Sequence, residues 1–61
     1  MDFDVVDGGS VVLLIPNTPE AESWVAENLP EDAPTLGKGI GVERRYIGAI
    51  LNGLTEDGLT F

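Results

Sequence analysis

The side chains that most often carry out catalysis are largely missing from this chain. The sequence contains neither histidine nor cysteine, and its two serines are Ser10, in a glycine-rich turn, and Ser23, in a predicted helix. Nucleophilic catalysis by serine or cysteine requires an adjacent base, and no histidine is present to supply one. We therefore expect that the protein is not an enzyme.

Carboxylates are the one abundant reactive group, with eleven Asp and Glu side chains. Close pairs such as Glu20 and Glu22 have the residue types of an acid–base pair, but that chemistry needs a pocket that shifts their pKa values. The Asp-Gly sequences at Asp7 and Asp57 lack the spaced oxygen ligands of a calcium loop, and zinc sites are normally built from His and Cys. These acids are typical of a solvated surface, and we expect neither a metal nor a cofactor.

One group of residues has the composition of an anion site. Glycines alternate with other residues over 37–41, and the chain's three cations, Lys38, Arg44 and Arg45, lie within or close after this stretch, near a predicted helix start. Backbone amides such as that of Gly39, together with these charges, could hold an anion. The glycine spacing is not that of a phosphate-binding loop. The favoured alternative is a glycine-rich strand beside a helix whose arginines pair with nearby acids.

The charge balance excludes one class of function and suggests another. Eleven acids against three cations give a net charge of −8. Because a phosphate backbone is held by neutralising many phosphates with Lys and Arg, direct binding to nucleic acid is disfavoured. The acidity either keeps a small protein in solution or directs it to a basic protein surface.

The elements that position these residues are organised around residues 11–15, five consecutive apolar residues closed by Pro16. With residues 3–6 and the turn signal at 7–10, this run predicts a β-hairpin. A loop of two residues (Gly8-Gly9) or of four (7–10) places Val6 opposite Val11 and Val5 opposite Val12. A three-residue loop would change that register.

The hairpin register assigns the side chains to two faces, because cross-strand partners share a face. One face is entirely apolar and consists of Phe3, Val5, Val12 and Leu14. The other is apolar with two acids at its margin and consists of Asp2, Asp4, Val6, Val11, Leu13 and Ile15.

The remaining sequence predicts two helices and one further strand. Thr18 is placed to cap a helix that reaches about residue 29, with Pro19 in its first turn and Trp24 as its main packing residue. Residues 35–42 predict a third strand, weakened by its glycines. Residues 43–55 predict a second helix that contains Gly48 and Gly53 and that Gly58 caps with Leu59 as its apolar partner.

This order of elements predicts a single α+β domain over residues 1–61, with a two-layer β-β-α-β-α fold. A right-handed helical crossover would make the second and third strands parallel, giving a three-stranded mixed sheet with both helices on one face. The 11–15 strand is the favoured central strand, and the alternative places the first strand in the middle. At this length the core is small, so oligomerisation or a bound partner would add stability. No apolar run is long enough to span a membrane and no basic signal-peptide region is present, so we expect a cytoplasmic protein.

Several segments resemble a group of small uncharacterised proteins of bacteria and their phages. The similar segments are residues 9–16, 24–33, 41–47 and 57–59, and together they span nearly the whole chain from residue 9 to residue 59. Members of that group usually carry aromatic residues where Thr35 and Leu36 stand here. The resemblance implies a mobile-element or accessory setting, and it implies no activity.

These observations predict a non-enzymatic interaction module. Its partner would be a basic, nucleic-acid-binding protein. In a phage setting, the module would then be a DNA mimic or an inhibitor of host defence. The predicted partner-binding residues are Asp2, Asp4, Val6, Val11, Leu13 and Ile15. The alternative is a structural subunit that forms homo-oligomers through the same sheet face.

Overall fold

The N-terminal hairpin forms where the turn sequence predicts it. In the computed structural model, which describes residues 1–61, strand β1 spans Phe3–Asp7 and strand β2 spans Val11–Pro16. The Gly8 N–H donates to the Val11 carbonyl oxygen at 2.9 Å, which leaves a two-residue loop whose first residue, Gly9, has a φ of 89°. Glycine adopts this φ without a steric cost, so Gly9 determines where the chain reverses.

The predicted hairpin register is wrong by two residues. Val6 lies opposite Leu13 and Val5 opposite Leu14, because the loop is made by residues 9–10 and not by residues 8–9. A shift of two residues leaves every side chain on its original face, since side chains alternate with a period of two. The predicted division of the hairpin into two faces therefore holds.

Helix α1 spans Pro19–Asn28 and begins as its sequence predicts. The Thr18 hydroxyl accepts a hydrogen bond from the Ala21 N–H at 3.1 Å, and Pro19 occupies the first turn. Ala21 and Trp24 are buried, which confirms Trp24 as a packing residue.

The predicted third strand is two strands. Strand β3 spans Thr35–Leu36 and strand β4 spans Gly39–Glu43, and they form a second hairpin in which Leu36 lies opposite Gly39. Gly37 begins its two-residue loop with a φ of 63°. The glycine that was expected to weaken one strand instead reverses the chain, as the first residue of a two-residue hairpin loop.

The second reversal changes the type of the sheet. The strand order is β1-β2-β4-β3 and every neighbouring pair is antiparallel. The prediction of three strands in a mixed sheet is therefore wrong. β3 runs parallel to β2, as expected of the strand after α1, but it does not pair with β2. The chain reverses after β3, and β4 is the strand that pairs with β2. The prediction of β2 as a central strand is confirmed.

Helix α2 spans Arg44–Glu56 and ends in the predicted cap. The Gly58 N–H donates to the Thr55 carbonyl and the Leu59 N–H to the Leu54 carbonyl, while Gly58 has a φ of 86°. This is a Schellman motif, and Leu59 packs against the core as its apolar partner.

Both helices cover the same face of the sheet, which confirms the α+β architecture with two helices on one side. The core joins side chains of that sheet face to side chains of α1 and α2. Its buried residues are Phe3, Leu14, Ala21, Trp24, Ile40, Val42 and Leu54. The Trp24 ring packs edge-on against Phe3, with 6.2 Å between ring centroids, and donates a 2.7 Å hydrogen bond to Asp57.

Candidate functional site

The outer face of the sheet, which is the face turned away from the helices, carries the predicted partner-binding residues. The observed register places Leu13 between Val6 of β1 and Gly41 of β4, and Ile15 opposite Asp4. The β3–β4 hairpin extends this surface, because Leu36 lies opposite Gly39. The apolar side chains of the outer face are Val6, Val11, Leu13, Ile15, Pro34 and Leu36.

The outer face has a ridge and a shallow trough. Leu13 and Ile15 of β2 form the ridge, whereas β4 contributes only Gly39 and Gly41 at these positions, so no side chain rises there. A Cβ atom added at Gly39 would lie 3.2 Å from the Ile15 Cγ1 atom, which shows that Ile15 leans over this glycine. Leu36 stands on the other side of the trough.

Exposure differs along the outer face. Val6 is 44% exposed and Leu36 is 58% exposed. The outer-face side chains of β2, which are Val11, Leu13 and Ile15, are half-buried. No helix covers these side chains. The result is a contiguous apolar surface, of the kind that marks binding sites in small proteins.

The margin of the outer face is acidic. Asp4 is exposed beside Ile15, and Glu43 lies opposite Val11 at the end of β4. Glu43 pairs with Arg45 at 2.8 Å, whereas Asp4 takes part in neither of the two ion pairs of the chain. Asp4 therefore presents an unneutralised charge next to the ridge.

Asp2, the other acid among the predicted partner-binding residues, forms hydrogen bonds within the chain. Its carboxylate accepts hydrogen bonds from the Thr18 hydroxyl at 3.0 Å and from the Thr60 N–H at 3.0 Å and hydroxyl at 3.1 Å. The backbone hydrogen bond from Thr60, followed by the bond from Thr18, lowers the pKa of Asp2 below its ordinary value. Both of its oxygens are engaged within the chain, so Asp2 joins three segments of the fold.

The structure separates the residues of the predicted anion site. Arg44 points to the first hairpin, where it donates to the Gly9 carbonyl at 2.6 Å and pairs with Asp7. Lys38 lies in the β3–β4 turn, at the opposite end of β4 from the arginines. The four residues therefore do not converge on one anion, and Gly39 is instead buried beneath Ile15.

The Arg44 contact stabilises the first hairpin. The Asp7 carboxylate accepts a hydrogen bond from the Gly9 N–H at 2.9 Å in addition to the contact with Arg44. The hydrogen bond from the Gly9 amide, followed by the contact with Arg44, lowers the pKa of Asp7 below its ordinary value. The favoured sequence interpretation, in which the arginines pair with nearby acids, is confirmed at Arg44 and at Arg45.

A groove that sequence reasoning did not anticipate lies at the free edge of β4. Its volume is about 580 Å³, and it opens between the connection over residues 30–34 and the first half of α2. The residues that form it are Val11, Asn28, Leu29, Pro30, Asp32, Ala33, Pro34, Ile40, Gly41, Val42, Glu43, Tyr46, Ala49 and Ile50. No periodic pattern marks such a site, because it depends on where the connection crosses the sheet edge.

The structure adds two negative findings. No three metal-ligating side chains lie close enough together to hold an ion. Neither helix has the length and apolar character that crossing a membrane requires.

Comparison of the chain with protein-family models, with curated proteins and with solved structures finds no match.

Proposed function

We propose that this protein is a non-enzymatic interaction module whose outer face binds a basic, nucleic-acid-binding protein. The observation that carries the proposal is the uncovered apolar surface around Leu13, with the free carboxylate of Asp4 at its margin. In the phage or mobile-element setting that the sequence resemblance implies, such a module would act as a DNA mimic or as an inhibitor of host defence.

The apolar side chains and the negative charge have separate effects on binding. Burial of the apolar side chains contributes a favourable free energy of about 25 cal/mol per Å² removed from water, which offsets the entropic cost of association. The net charge of −8 favours encounter with a positively charged partner and disfavours encounter with acidic ones. A protein that normally holds DNA phosphates carries the positive charge that this acidic surface favours.

A second candidate is a homo-oligomer through the same outer face. The ridge at Leu13 and Ile15 lies at the centre of this face, and two copies related by a two-fold axis could pack their ridges against each other. The charge opposes this arrangement, because each copy carries −8 and would bring Asp4 and Glu43 towards the other copy.

The experiment that tests the main proposal compares capture from bacterial lysate by the immobilised wild type and by Leu13→Asp. We expect the wild type to retain basic proteins whose binding weakens between low salt and about 0.5 M salt, since charge-steered contacts are screened. Leu13→Asp should lose them because it places a charge in the centre of the apolar surface.

The matched control is Ser23→Asp, which adds the same charge at an exposed position of α1. It should retain the same proteins as the wild type. Leu14→Asp should unfold the protein, because Leu14 is fully buried on the opposite face of β2 and an unpaired buried charge is strongly destabilising. Salt-independent capture, or equal loss with Ser23→Asp, would contradict the proposal.

A further inference from the structure

The groove contains an unpaired stretch of sheet edge. The pairing of β3 with β4 covers only Ile40 and Gly39, and Pro34 then accepts a 2.8 Å hydrogen bond from the Gly41 N–H. Proline has no N–H, so Pro34 cannot return a hydrogen bond to the Gly41 carbonyl. Val42 directs its backbone groups to Val12 of β2, so the groups that remain at this edge are the Gly41 carbonyl and the Glu43 N–H. An extended chain laid along this edge would find backbone groups to pair with.

The walls of the groove are mainly apolar. Leu29 and Ala33 lie on the side of the connection, and Tyr46 and Ile50 lie on the side of α2. Tyr46 is 51% exposed, so its ring is accessible from solvent. A volume of about 580 Å³ lies in the range of small-ligand pockets and has room for a large apolar side chain.

The charge at the groove is negative. Asp32 and Glu43 border it, and Glu31 lies on the adjoining side of the connection. Arg45 pairs with Glu43 and lies 4.9 Å from the centre of the Tyr46 ring, and Arg44 pairs with Asp7. Asp32 and Glu31 take part in neither ion pair, so their charges are not neutralised within the chain.

We propose that this groove binds an extended, cationic peptide segment of a partner protein, with one apolar side chain anchored beside Tyr46 and Lys or Arg residues on either side. The free Gly41 carbonyl and Glu43 N–H favour an extended backbone, the walls favour an apolar anchor and the acids favour flanking cations. A second copy of this chain does not fit, because it has three cations and two of them are paired. This groove shares Val11, Pro34 and Gly41 with the outer face but does not include the ridge at Leu13 and Ile15, and the proposal does not depend on the function proposed for that face.

The probe is a capped pentapeptide with a central leucine and lysines at the other four positions, titrated into the ¹⁵N-labelled full chain. We expect saturable shifts of the Gly41, Val42 and Glu43 amides and of the Ala33 amide. The same peptide with a central serine should bind about tenfold more weakly, because it lacks the anchor. A peptide with glutamates in place of lysines should produce no shifts.

Two pairs of variants test the location. Ala49→Phe fills the groove from an exposed position of α2, and Asn52→Phe adds the same side chain to that helix outside the groove. The first should weaken binding about tenfold or more and the second should leave it unchanged. Asp32→Asn should weaken it by about two- to fivefold, while Glu56→Gln, which removes a charge distant from the groove, should not.

Three results would overturn the proposal. One is the absence of shifts, another is equal binding of the leucine and serine peptides, and the third is undiminished binding to a folded Ala49→Phe variant. Repeating the titration on Leu13→Asp separates the two sites. Normal peptide binding there shows that the groove acts independently of the outer face.

Discussion

Two side chains hold together parts of the fold that secondary structure alone would leave loosely attached. Asp2 connects the start of β1 to the capping residue of α1 and to Thr60, while Trp24 connects α1 to Asp57 beyond the end of α2. In a chain of 61 residues the core is small, so such links between distant segments matter more than in a larger domain. The acidity of the protein is therefore partly structural.

The role of Asp2 predicts how stability responds to acid. Its pKa in the folded protein is lowered by the hydrogen bonds from Thr60 and Thr18, whereas in the unfolded chain it returns to its ordinary value. The stabilisation is therefore fully present above the unfolded pKa, near 4, and is lost as the pH falls through the lower folded value. We expect Asp2→Asn to lower the free energy of unfolding at pH 7 and to flatten its decrease below about pH 5.

The measurement is urea unfolding followed by circular dichroism at several pH values. Asp4→Asn is the matched control, because it removes one negative charge from an exposed side chain that makes no hydrogen bond within the chain. Equal pH dependence in Asp2→Asn and the wild type would contradict the role given to Asp2.

At the scale of elements, the helices could be predicted from sequence because local chemistry determines where they begin and end. Thr18 followed by Pro19 marks the start of α1, and Gly58 with Leu59 marks the end of α2. Capping of this kind needs only neighbouring residues, so it is visible in the sequence.

The β3–β4 hairpin could not be predicted in the same way. Glycine is common both in weak strands and in tight turns, and the alternation through Leu36, Ile40 and Val42 suits one continuous strand as well as two. Pairing with β2 decides between one strand and two, because Val12 and Leu14 require buried partners on their own face. Val42 and Ile40 provide these partners when the chain has reversed.

The part of the candidate site on the first hairpin could be predicted, and the parts that depend on β3 and on the connection could not. Faces depend on side-chain alternation, which an even shift of register preserves, so Leu13 and Ile15 were placed correctly. Pro34 and Leu36 were missed because they join the outer face only through β3. The groove was missed because it depends on the path of residues 30–34.

Two glycines of the C-terminal half predict opposite responses to the same substitution. Gly48 lies within α2, and a Cβ atom there would meet nothing within 4 Å. Gly48→Ala should therefore raise the free energy of unfolding by about 0.5–1 kcal/mol, the helix preference of Ala over Gly. Gly58→Ala should lower it by about 1 kcal/mol, because Gly58 has a φ of 86° in the helix cap.

Thermal and urea unfolding of both variants provides the measurement. Gly53→Ala is an informative third variant, because its Cβ atom would lie 3.4 Å from the Trp24 Cζ2 atom, so contact offsets part of the gain in helix preference. Its stability should fall between those of the other two. A stabilising Gly58→Ala would contradict the assignment of the cap.

At the scale of the whole molecule, the two candidate surfaces are adjacent and meet at Val11, Pro34 and Gly41. The outer face presents the ridge of β2, and the groove opens where β4 meets the connection and α2. Both surfaces are apolar with carboxylates at the margin, and a net charge of −8 surrounds them. The arrangement suits a partner that presents basic residues around apolar ones, at either surface.

The same charge predicts the state of association. Each copy in a dimer through the outer face would carry a net charge of −8, so the two copies repel each other. This repulsion extends over about 10 Å at 0.1 M salt. We therefore expect sedimentation equilibrium at high micromolar concentration to show a monomer at low salt. Added salt screens the repulsion, so any weak dimer would appear only as the salt concentration rises, in contrast to a charge-steered complex with a basic protein, which salt weakens. A dimer that persists at low salt and disappears in Leu13→Asp would overturn the proposed function in favour of the homo-oligomer, because the apolar ridge would then outweigh the charge.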